Sequence, residues 1–365
     1  MSGFREAKSG KLETMGNVTR VFGDVGGMLG VGHAGGSHSQ QGGMMMHIIL
    51  LVATSIAIYI LAVGSEGGVE RAVPPFEPCL VYDAAYVSSG PRPPLEERTT
   101  LVTSYFALSS AKHSHSEYDE WMETMVCIDA PLVAYVDAGS EAKIRELRTA
   151  CLDGSDLDVR ITTFEEFHTS KWRDVLVQQA GADPEAAIGH SVKLYMIWDE
   201  KSAWLDQVAT DNPFGTKYFA WVDIGYFRGH KYKTPSAAFT NIPWPAGERV
   251  RQLDDNRVML LGLAPVVPGS AECSDIDSVF DAFSTRGIGG GFIAGTAQAV
   301  HAWADAFYAM TQNFVDSGRF IGKDQIMMAA VACSRADLVR VVPTCGGDWF
   351  YIANYLRPSL FPAPV

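Results

Sequence analysis

The chain has 365 residues, of which 47% are hydrophobic, and its formal net charge is −13. This apolar content is enough for the core of one large domain or of two closely packed ones. The acidic balance argues against nucleic acid as a partner, because neutralising phosphates needs clustered Lys and Arg.

The N-terminal region changes character at residue 44. Residues 1–43 are rich in Gly, Ser, His and Gln, which predicts a disordered tail. Residues 44–64 contain no Asp, Glu, Lys or Arg, and a membrane-spanning helix needs about 20 such residues. A transmembrane signal-anchor is therefore predicted here. The alternatives are a buried core helix and a cleaved signal peptide, whose apolar region usually begins nearer the terminus.

Basic residues and cysteines suggest where the rest of the chain resides. Four basic residues precede the apolar segment, whereas Arg71 follows it, next to Glu70. This bias predicts a single-pass type II membrane protein with a lumenal C-terminal part, in the Golgi or the endoplasmic reticulum. All six cysteines follow the segment, and an even number in an oxidising lumen permits three disulfides, with 15 possible pairings; buried free thiols are the alternative. The cysteines are Cys79, Cys127, Cys151, Cys273, Cys333 and Cys345.

After a proline-rich stem at 65–98, β-rich runs alternate with helical patterns, which predicts an α/β domain over 99–365 with a mainly parallel sheet flanked by helices. The predicted strands are 100–106, 132–136, 159–163, 218–222, 258–262 and 338–342, and the predicted helices are 118–127, 141–150, 192–210 and 297–315. In the last helix, a buried stripe is predicted at Ala297, Val300, Trp303, Phe307, Met310 and Phe314.

Single carboxylates follow two of these strands. Asp137 and Asp223 come directly after apolar runs, and ligands of such sheets bind at the carboxyl ends of the strands. Asp223 precedes Ile224 and Gly225, so a simple turn cap is the alternative interpretation. A carboxylate fixed at a strand end could bind Mn²⁺ or Mg²⁺, which prefer oxygen ligands and also bridge to phosphates.

The second informative segment begins at the glycine-rich run 289–295. Its glycines, Gly290 and Gly291 among them, would let the backbone approach a sugar or diphosphate closely; a structural turn is the alternative. Asp324 and Gln325 follow the predicted helix, and Asp324 could either cap the next helix or take a proton from an acceptor hydroxyl.

Several basic side chains could balance the charge of a diphosphate. Arg228 is preferred because it neighbours Asp223, although a solvated surface position is the general alternative for such residues. The further candidates are Arg145, Arg148, Lys193 and Lys201. His113 and His115 have no carboxylates at metal-ligand spacing, so a solvated loop is expected for them.

These residues occur in an order that resembles the bacterial HtrL/YibB (WlaTC-like) family of proposed glycosyltransferases. The resemblance runs from about residue 99 to about residue 352. It is carried by Thr103-Ser-Tyr105-Phe, Tyr118-Asp-Glu-Trp, Pro131 to Asp137, Ile144 to Arg148, Asn212-Pro-Phe, Phe219 to Gly225 with Arg228, and Asp324-Gln325.

The resemblance implies a GT-A-like fold, a nucleotide-sugar donor and dependence on Mn²⁺ or Mg²⁺. Asp223 would be the metal ligand, although the sequence has Asp-Ile-Gly in place of Asp-x-Asp, so a second ligand is open; Asp348 is one candidate. Asp324 and Arg228 would be catalytic. Substrate-binding roles are expected for Thr103, Tyr105, Asp137, Arg148, Lys201, Trp221, Gly290, Gly291 and Gln325.

The sequence therefore predicts a membrane-anchored glycosyltransferase that moves a sugar to a glycan, lipid or protein acceptor. If transfer inverts the anomeric centre, Asp324 would be the general base; if it retains, Asp324 would bind the acceptor. The alternatives are a degenerate carbohydrate-binding or scaffold protein, and a glycoside hydrolase that pairs Asp223 with Asp324.

Overall fold

The computed structural model describes residues 94–109, 113–154, 156–228, 238–246, 248–263, 273, 287–344 and 347–357. All of them belong to one compact unit, Glu77–Val365. No helix within these ranges is long and apolar enough to cross a membrane. The predicted tail, the signal-anchor and most of the stem lie outside the described residues.

Apolar runs form a mixed seven-stranded sheet. Its strands are β1 (Thr99–Tyr105), β2 (Leu132–Val136), β3 (Leu157–Ile161), β4 (Tyr218–Val222), β5 (Val258–Gly262), β6 (Ile288–Thr296) and β7 (Val339–Pro343). The order across the sheet is β3-β2-β1-β4-β6-β5-β7. β6 runs antiparallel to both of its neighbours, and the other pairs are parallel. The predicted mainly parallel sheet is confirmed.

Helices cover both faces of this sheet, as predicted. They are α1 (His115–Val126), α2 (Glu141–Leu152), α3 (Arg173–Gln179), α4 (Val192–Asp211), α5 (Ala297–Asp316), α6 (Asp324–Ser334) and α7 (Tyr351–Tyr355). Short 3-10 turns lie at Leu95–Glu97, His168–Trp172, Ala180–Ala182, Pro184–Ile188 and Glu248–Asp255.

Alternation along the strands divides the core into two layers. Phe219 and Trp221 of β4 join one cluster of buried side chains, and Ala220 and Val222 join the other. β4 is buried along its whole length, which explains why it reads as a continuous apolar run. In the predicted stripe of α5, Val300, Trp303, Phe307 and Phe314 are fully buried, while Ala297 and Met310 are partly buried against the same cluster.

The glycine-rich run is a strand and not the structural turn that was its alternative interpretation. Gly289, Gly290 and Gly291 lie in β6, which pairs with β4 on one side and β5 on the other. Space explains the glycines, because an added Cβ at Gly289 would lie 3.0 Å from the Leu261 side chain and one at Gly291 would lie 2.8 Å from the Tyr226 ring. The run therefore brings the backbone of β6 against its neighbours.

Disulfide formation is confirmed for four of the six cysteines. Cys127 pairs with Cys151, and Cys273 pairs with Cys333. The first bond joins the end of α1 to α2, and the second ties Cys273 to α6. Cys79 and Cys345 lie outside the described residues.

Candidate functional site

The candidate site is a pocket at the carboxyl edge of the sheet. The chain leaves β1 for β2 on one side, whereas β4 lies on the other side of β1, so the sheet has a topological switch point between β1 and β4. Open α/β sheets bind ligands in the crevice at such a point. A cavity of about 380 Å³ lies here, lined by residues that follow β1 and β4 and by the start of β6. That volume lies within the range of small-molecule sites.

Asp223 is held rigidly at the end of β4. Its backbone N–H donates to the Gly291 carbonyl over 3.0 Å, and its Oδ1 accepts a 2.9 Å hydrogen bond from Trp221 Nε1. The Lys201 ammonium lies 3.1 Å from the same Oδ1. These contacts occupy one carboxylate oxygen and leave Oδ2 for a ligand. The side chain keeps 38% of its surface exposed.

Lys201 links Asp223 to the second acid of the site. Its Nζ donates to the Gly290 carbonyl and to Asp324 Oδ2, each over 2.9 Å. Burial alone would lower the pKa of Lys201, but the charges of Asp223 and Asp324 outweigh it and raise the pKa to about 12. We call Lys201, Asp223 and Asp324 the Lys201 cluster; its lysine stays a buried ammonium.

Asp324 is the first residue of α6, where the helix dipole favours a carboxylate. Oδ2 binds Lys201, and Oδ1 accepts the Gln325 N–H over 2.8 Å. Burial raises the pKa of Asp324, and the Lys201 charge opposes that rise. An added Cβ at Gly290 would lie 2.9 Å from Asp324 Oδ2, so the acid needs a glycine opposite it.

Arg228 places a positive charge on the pocket wall. Its guanidinium lies over the rings of Trp121 and Phe350, 4.6 and 5.3 Å from their centroids. Burial lowers its pKa, while the charge of Asp223 opposes that effect; a guanidinium nevertheless stays protonated in proteins. Arg228 has no salt bridge within the described part of the chain, so it is available to an anion.

A second charged group lies on the same pocket and was missed by the sequence analysis. Lys323 Nζ lies 3.1 Å from Asp183 Oδ1 and 2.8 Å from Glu185 Oε2. Asp183 Oδ2 contacts His190 Nδ1 at 2.7 Å and accepts the Tyr195 hydroxyl at 2.8 Å. We call Lys323, Asp183, Glu185 and His190 the Lys323 cluster. Glu185 and His190 line the pocket.

The two clusters differ in what they offer a metal ion. The ligand atoms of Asp183, Glu185 and His190 lie within 4.8 Å of one another, but the Lys323 ammonium already bridges the two carboxylates. This set therefore does not fit a divalent cation. Asp223 does fit one, because Oδ2 is a hard oxygen on the pocket wall, and Mg²⁺ is commonly bound by one or two carboxylates plus substrate phosphates.

The structure brings most of the predicted site residues together. The lining residues include Tyr105, Lys201, Trp221, Asp223, Arg228, Gly290, Gly291, Asp324 and Gln325. Gln325 also donates from Nε2 to the Ile288 carbonyl over 3.0 Å, which ties the start of α6 to β6. Strands β1, β4 and β6 and helices α4 and α6 thus meet around one cavity.

Three predicted substrate-binding residues lie away from the pocket. Thr103 is fully buried within β1. Asp137 accepts the Ala107 N–H over 2.7 Å and the Ser140 hydroxyl over 2.9 Å, so it joins the ends of β1 and β2.

Arg148 is the third of these residues and is fully buried on α2. Its guanidinium donates to the carbonyls of Val126, Ile128 and Ala130 over 2.6–2.8 Å. Arg148 therefore fixes the end of α1 and the turn that leads into β2. Its partners are backbone groups about 20 residues away, which a sequence pattern does not reveal.

Four other candidates are also placed. His113 and His115 both line the pocket: His113 is partly buried and packs edge-on against Trp121 with 4.8 Å between the ring centroids, whereas His115 begins α1 and is exposed, as expected. Asp348 is buried and accepts the Phe350 N–H, and it is not a lining residue. Arg145 pairs with Glu141 on the surface of α2.

Fold and site together define an α/β protein with a charged pocket at the switch point of a mainly parallel sheet. The chain belongs to the HtrL_YibB family, described as "Bacterial protein of unknown function (HtrL_YibB)", which matches residues 97–357. Comparison with curated proteins gives no match. The matched range includes every residue of both clusters, and the predicted family is confirmed.

Proposed function

We propose that this chain is a glycosyltransferase with a GT-A-like fold that uses a nucleotide-sugar donor. One observation carries the proposal: among the described residues, a carboxylate with one unoccupied oxygen and an arginine without a carboxylate partner line the same pocket at the switch point. A donor diphosphate needs positive charge around its oxygens, and a metal ion bridging it to the protein needs a hard ligand.

The charges of the pocket suit a diphosphate leaving group. Arg228 offers a planar guanidinium, which matches phosphate oxygens in a bidentate way. Mn²⁺ or Mg²⁺ held by Asp223 Oδ2 would, when bound, neutralise developing charge on the diphosphate. Lys201 and Trp221 both hold Oδ1, so they fix the carboxylate with Oδ2 left over for the metal. Stabilising a leaving group in this way is usually a large part of catalysis.

Flat side chains in the pocket suit the rest of the donor. Tyr105 and Tyr118 lie on one wall, with 6.0 Å between their ring centroids, and Trp198 lies on another. Aromatic rings stack on nucleobases with about 1–3 kcal/mol per base. Gly290 and Gly291 have no side chains, so the backbone of β6 lies close to Asp324, Tyr226 and Asp223.

A membrane-anchored enzyme in the Golgi or endoplasmic reticulum remains part of the proposal, with a glycan, lipid or protein as acceptor. The two disulfides support an oxidising compartment, because structural disulfides are rare in the cytosol. The net charge of −13 supports the expectation that nucleic acid is not the acceptor.

A carbohydrate-binding or scaffold protein is the second candidate, and one observation favours it. Lys201 fills the space between Asp223 and Asp324, which would hold a metal if both acids were free. The same contact counts against the hydrolase alternative, because two acids that share one buried ammonium are poorly suited to act as a separate acid and nucleophile or base.

Ligand binding separates these candidates. We would measure the melting temperature of the full-length protein with a panel of nucleotide-sugars, with and without Mn²⁺. A ligand that binds the folded state alone raises it. We expect a metal-dependent rise for one nucleotide class, lost in Asp223→Asn. Asp137→Asn is the matched control, because Asp137 also follows a strand but lies off the pocket. A well-folded protein that responds to free sugars alone would support the second candidate.

A further inference from the structure

We propose that His190, held by Asp183, accepts the proton of the acceptor hydroxyl during glycosyl transfer. The inference rests on the proposed function and assigns the acceptor side of the same pocket to the Lys323 cluster. The observations that carry it are the fixed orientation of His190, its position on the pocket wall and the engagement of the other acids.

The imidazole of His190 is fixed by its contacts. Nδ1 lies 2.7 Å from Asp183 Oδ2, and the ring packs edge-on against Trp198 with 4.9 Å between centroids. A carboxylate on one ring nitrogen holds the proton there and leaves the lone pair on the other nitrogen. Nε2 is therefore the nitrogen that can take a proton. The side chain is only 6% exposed, and this residue lines the pocket.

Asp183 is suited to hold an imidazolium. Burial would raise its pKa, but hydrogen bonds from the Glu185 N–H, His190, Tyr195 and Lys323 outweigh burial and lower the pKa to about 2. The carboxylate is therefore charged throughout the neutral range. A buried negative charge next to Nδ1 stabilises the positive charge that appears when Nε2 is protonated, as in other pairs of a base and an orienting acid.

Other charged groups around His190 leave it as the base. Glu185 Oε1 lies 3.9 Å from Nε2, but Glu185 Oε2 is bound to Lys323. Tyr195 donates its hydroxyl to Asp183, and burial raises its pKa beyond the neutral range. Lys323, the residue before α6, is positively charged and contacts Asp183 and Glu185. An imidazole nitrogen is a common proton acceptor in catalysis, so His190 Nε2 is the atom of this cluster that we assign to the transfer.

Asp324, the base predicted from the sequence, is less well placed for this step. One of its oxygens binds the buried Lys201 ammonium and the other binds the Gln325 N–H. Because Asp324 holds Lys201, which also contacts Asp223, we assign Asp324 to orienting the part of the pocket that would bind the donor. Within the part of the chain that the structure describes, no cation contacts His190 Nε2 in this way.

The step balances within the donor and acceptor. The acceptor oxygen forms a bond to the anomeric carbon while the bond from that carbon to the diphosphate oxygen breaks, and the diphosphate leaves with the electron pair. The acceptor proton moves to His190 Nε2 and is later released to solvent. Attack opposite the leaving group inverts the anomeric centre.

Kinetics of donor hydrolysis test the inference, with water as the acceptor. We would measure nucleoside diphosphate release by the full-length protein from the nucleotide-sugar that raises its melting temperature. His190→Gln should lower kcat by about 10²- to 10⁴-fold and leave the donor-induced rise in melting temperature unchanged. His301→Gln is the matched control, because His301 also contacts an aspartate, Asp206, but lies half-exposed on α5.

The outcomes separate this inference from the proposed function. If the wild-type protein neither binds nor hydrolyses any nucleotide-sugar, the proposed function fails and this inference with it. If the wild type is active and His190→Gln is equally active, only the role of His190 is overturned.

The tautomer of His190 gives a readout that does not need the reaction. In ¹⁵N NMR spectra at neutral pH, we expect the proton on Nδ1 and a lone pair on Nε2. Asp183→Asn should redistribute the proton between the two nitrogens and lower kcat with little change in KM. A wild-type His190 protonated on Nε2 alone would overturn the inference.

Discussion

Two buried lysines, Lys201 on the pocket and Lys323 behind it, are each held between two carboxylates, yet the surroundings of the acids differ. In the Lys201 cluster, one ammonium is the principal partner of two acids that come from different elements. In the Lys323 cluster, Asp183 has four donors, and three of them remain without the lysine. The pKa of Asp183 is lowered and that of Asp324 is raised, although both side chains are buried. The number of donors, and not burial alone, therefore decides the direction in which each pKa is shifted.

The two clusters also differ in the atom that each leaves available for a ligand. The Lys201 cluster leaves a carboxylate oxygen, Asp223 Oδ2, which suits a hard cation. The Lys323 cluster leaves an imidazole nitrogen, His190 Nε2, which suits a proton. Lys323 and Asp324 are adjacent in the chain, so the start of α6 contributes to both clusters. This contrast gives each side of the pocket a separate chemical task.

The largest expected effect is the loss of Lys201. Lys201→Met leaves two buried acids without their cation, which should lower the free energy of unfolding by about 3–5 kcal/mol. Lys323→Met should lower it less, because Asp183 keeps its other donors and Glu185 is 31% exposed. Urea unfolding measures both. Lys193→Met, on the same helix with its ammonium over Phe164, is the control. An equal loss for the two buried lysines would contradict the contrast.

Arg228 sharpens the contrast, because it is a cation without a carboxylate partner in the described part of the chain. Arg228→Met should weaken nucleoside diphosphate binding by about 10- to 100-fold, since charge-assisted hydrogen bonds contribute about 1.5–3 kcal/mol. Stability should change little. Isothermal titration calorimetry measures the Kd, with Arg145→Met as the surface control. Unchanged affinity in Arg228→Met would show that the diphosphate does not bind to Arg228.

A smaller effect is expected from crowding the Lys201 cluster. In Gly291→Ala, the added Cβ would meet the Tyr226 ring at 2.8 Å and approach Asp223 Oδ2 at 3.5 Å. Stability should fall by about 1 kcal/mol, as for modest overpacking, and metal affinity should fall with it. Gly181→Ala is the control, since a Cβ there meets nothing within 4 Å. Calorimetric melting temperatures with and without Mn²⁺ decide the outcome.

Opposite slopes of stability against pH are also expected for the two clusters. The lowered pKa of Asp183 means that its contribution is present above pH 4 and is lost as the pH falls towards 2. Asp324 has a raised pKa, so its contribution is present below pH 4 and is lost as the pH rises. Urea unfolding at a series of pH values should show that Asp183→Asn flattens the acid side and Asp324→Asn flattens the other. Slopes of the same sign would show that donor number does not decide the directions of these two pKa shifts.

The strand that carries Asp223 was predictable because its signal is local. Residues 218–222 are continuously apolar and end at an acid, and the alternation of strands and helices placed that end at the binding edge of the sheet. The β6 strand was missed because glycine is unfavourable in strands. The glycines are needed because the side chains of Leu261 and Tyr226 pack closely against this strand. Both residues lie outside the run, so the sequence of the run gives no sign of them.

Site residues that directly follow a strand were predictable from the sequence. Residues whose contacts lie far away in the sequence were not. From the sequence, Arg148 could be a ligand-binding charge. In the structure its guanidinium is engaged by the backbone carbonyls of residues 126, 128 and 130. The Lys323 cluster depends on a lysine that folds back onto a turn at Asp183, about 140 residues earlier. The spacing of Asp183, Glu185 and His190 matches no metal or catalytic motif, so only their meeting in space reveals them.

The most direct test of the central claim is the release of nucleoside diphosphate from nucleotide-sugars, followed by chromatography. The full-length protein, Asp223→Asn and Asp137→Asn would be compared in the presence of Mn²⁺ or Mg²⁺ and in excess chelator. We predict release from one nucleotide class by the wild type and by Asp137→Asn, and none by Asp223→Asn or in chelator. Equal release by Asp223→Asn would contradict a donor site at the end of β4, and no release from any donor would favour a carbohydrate-binding protein.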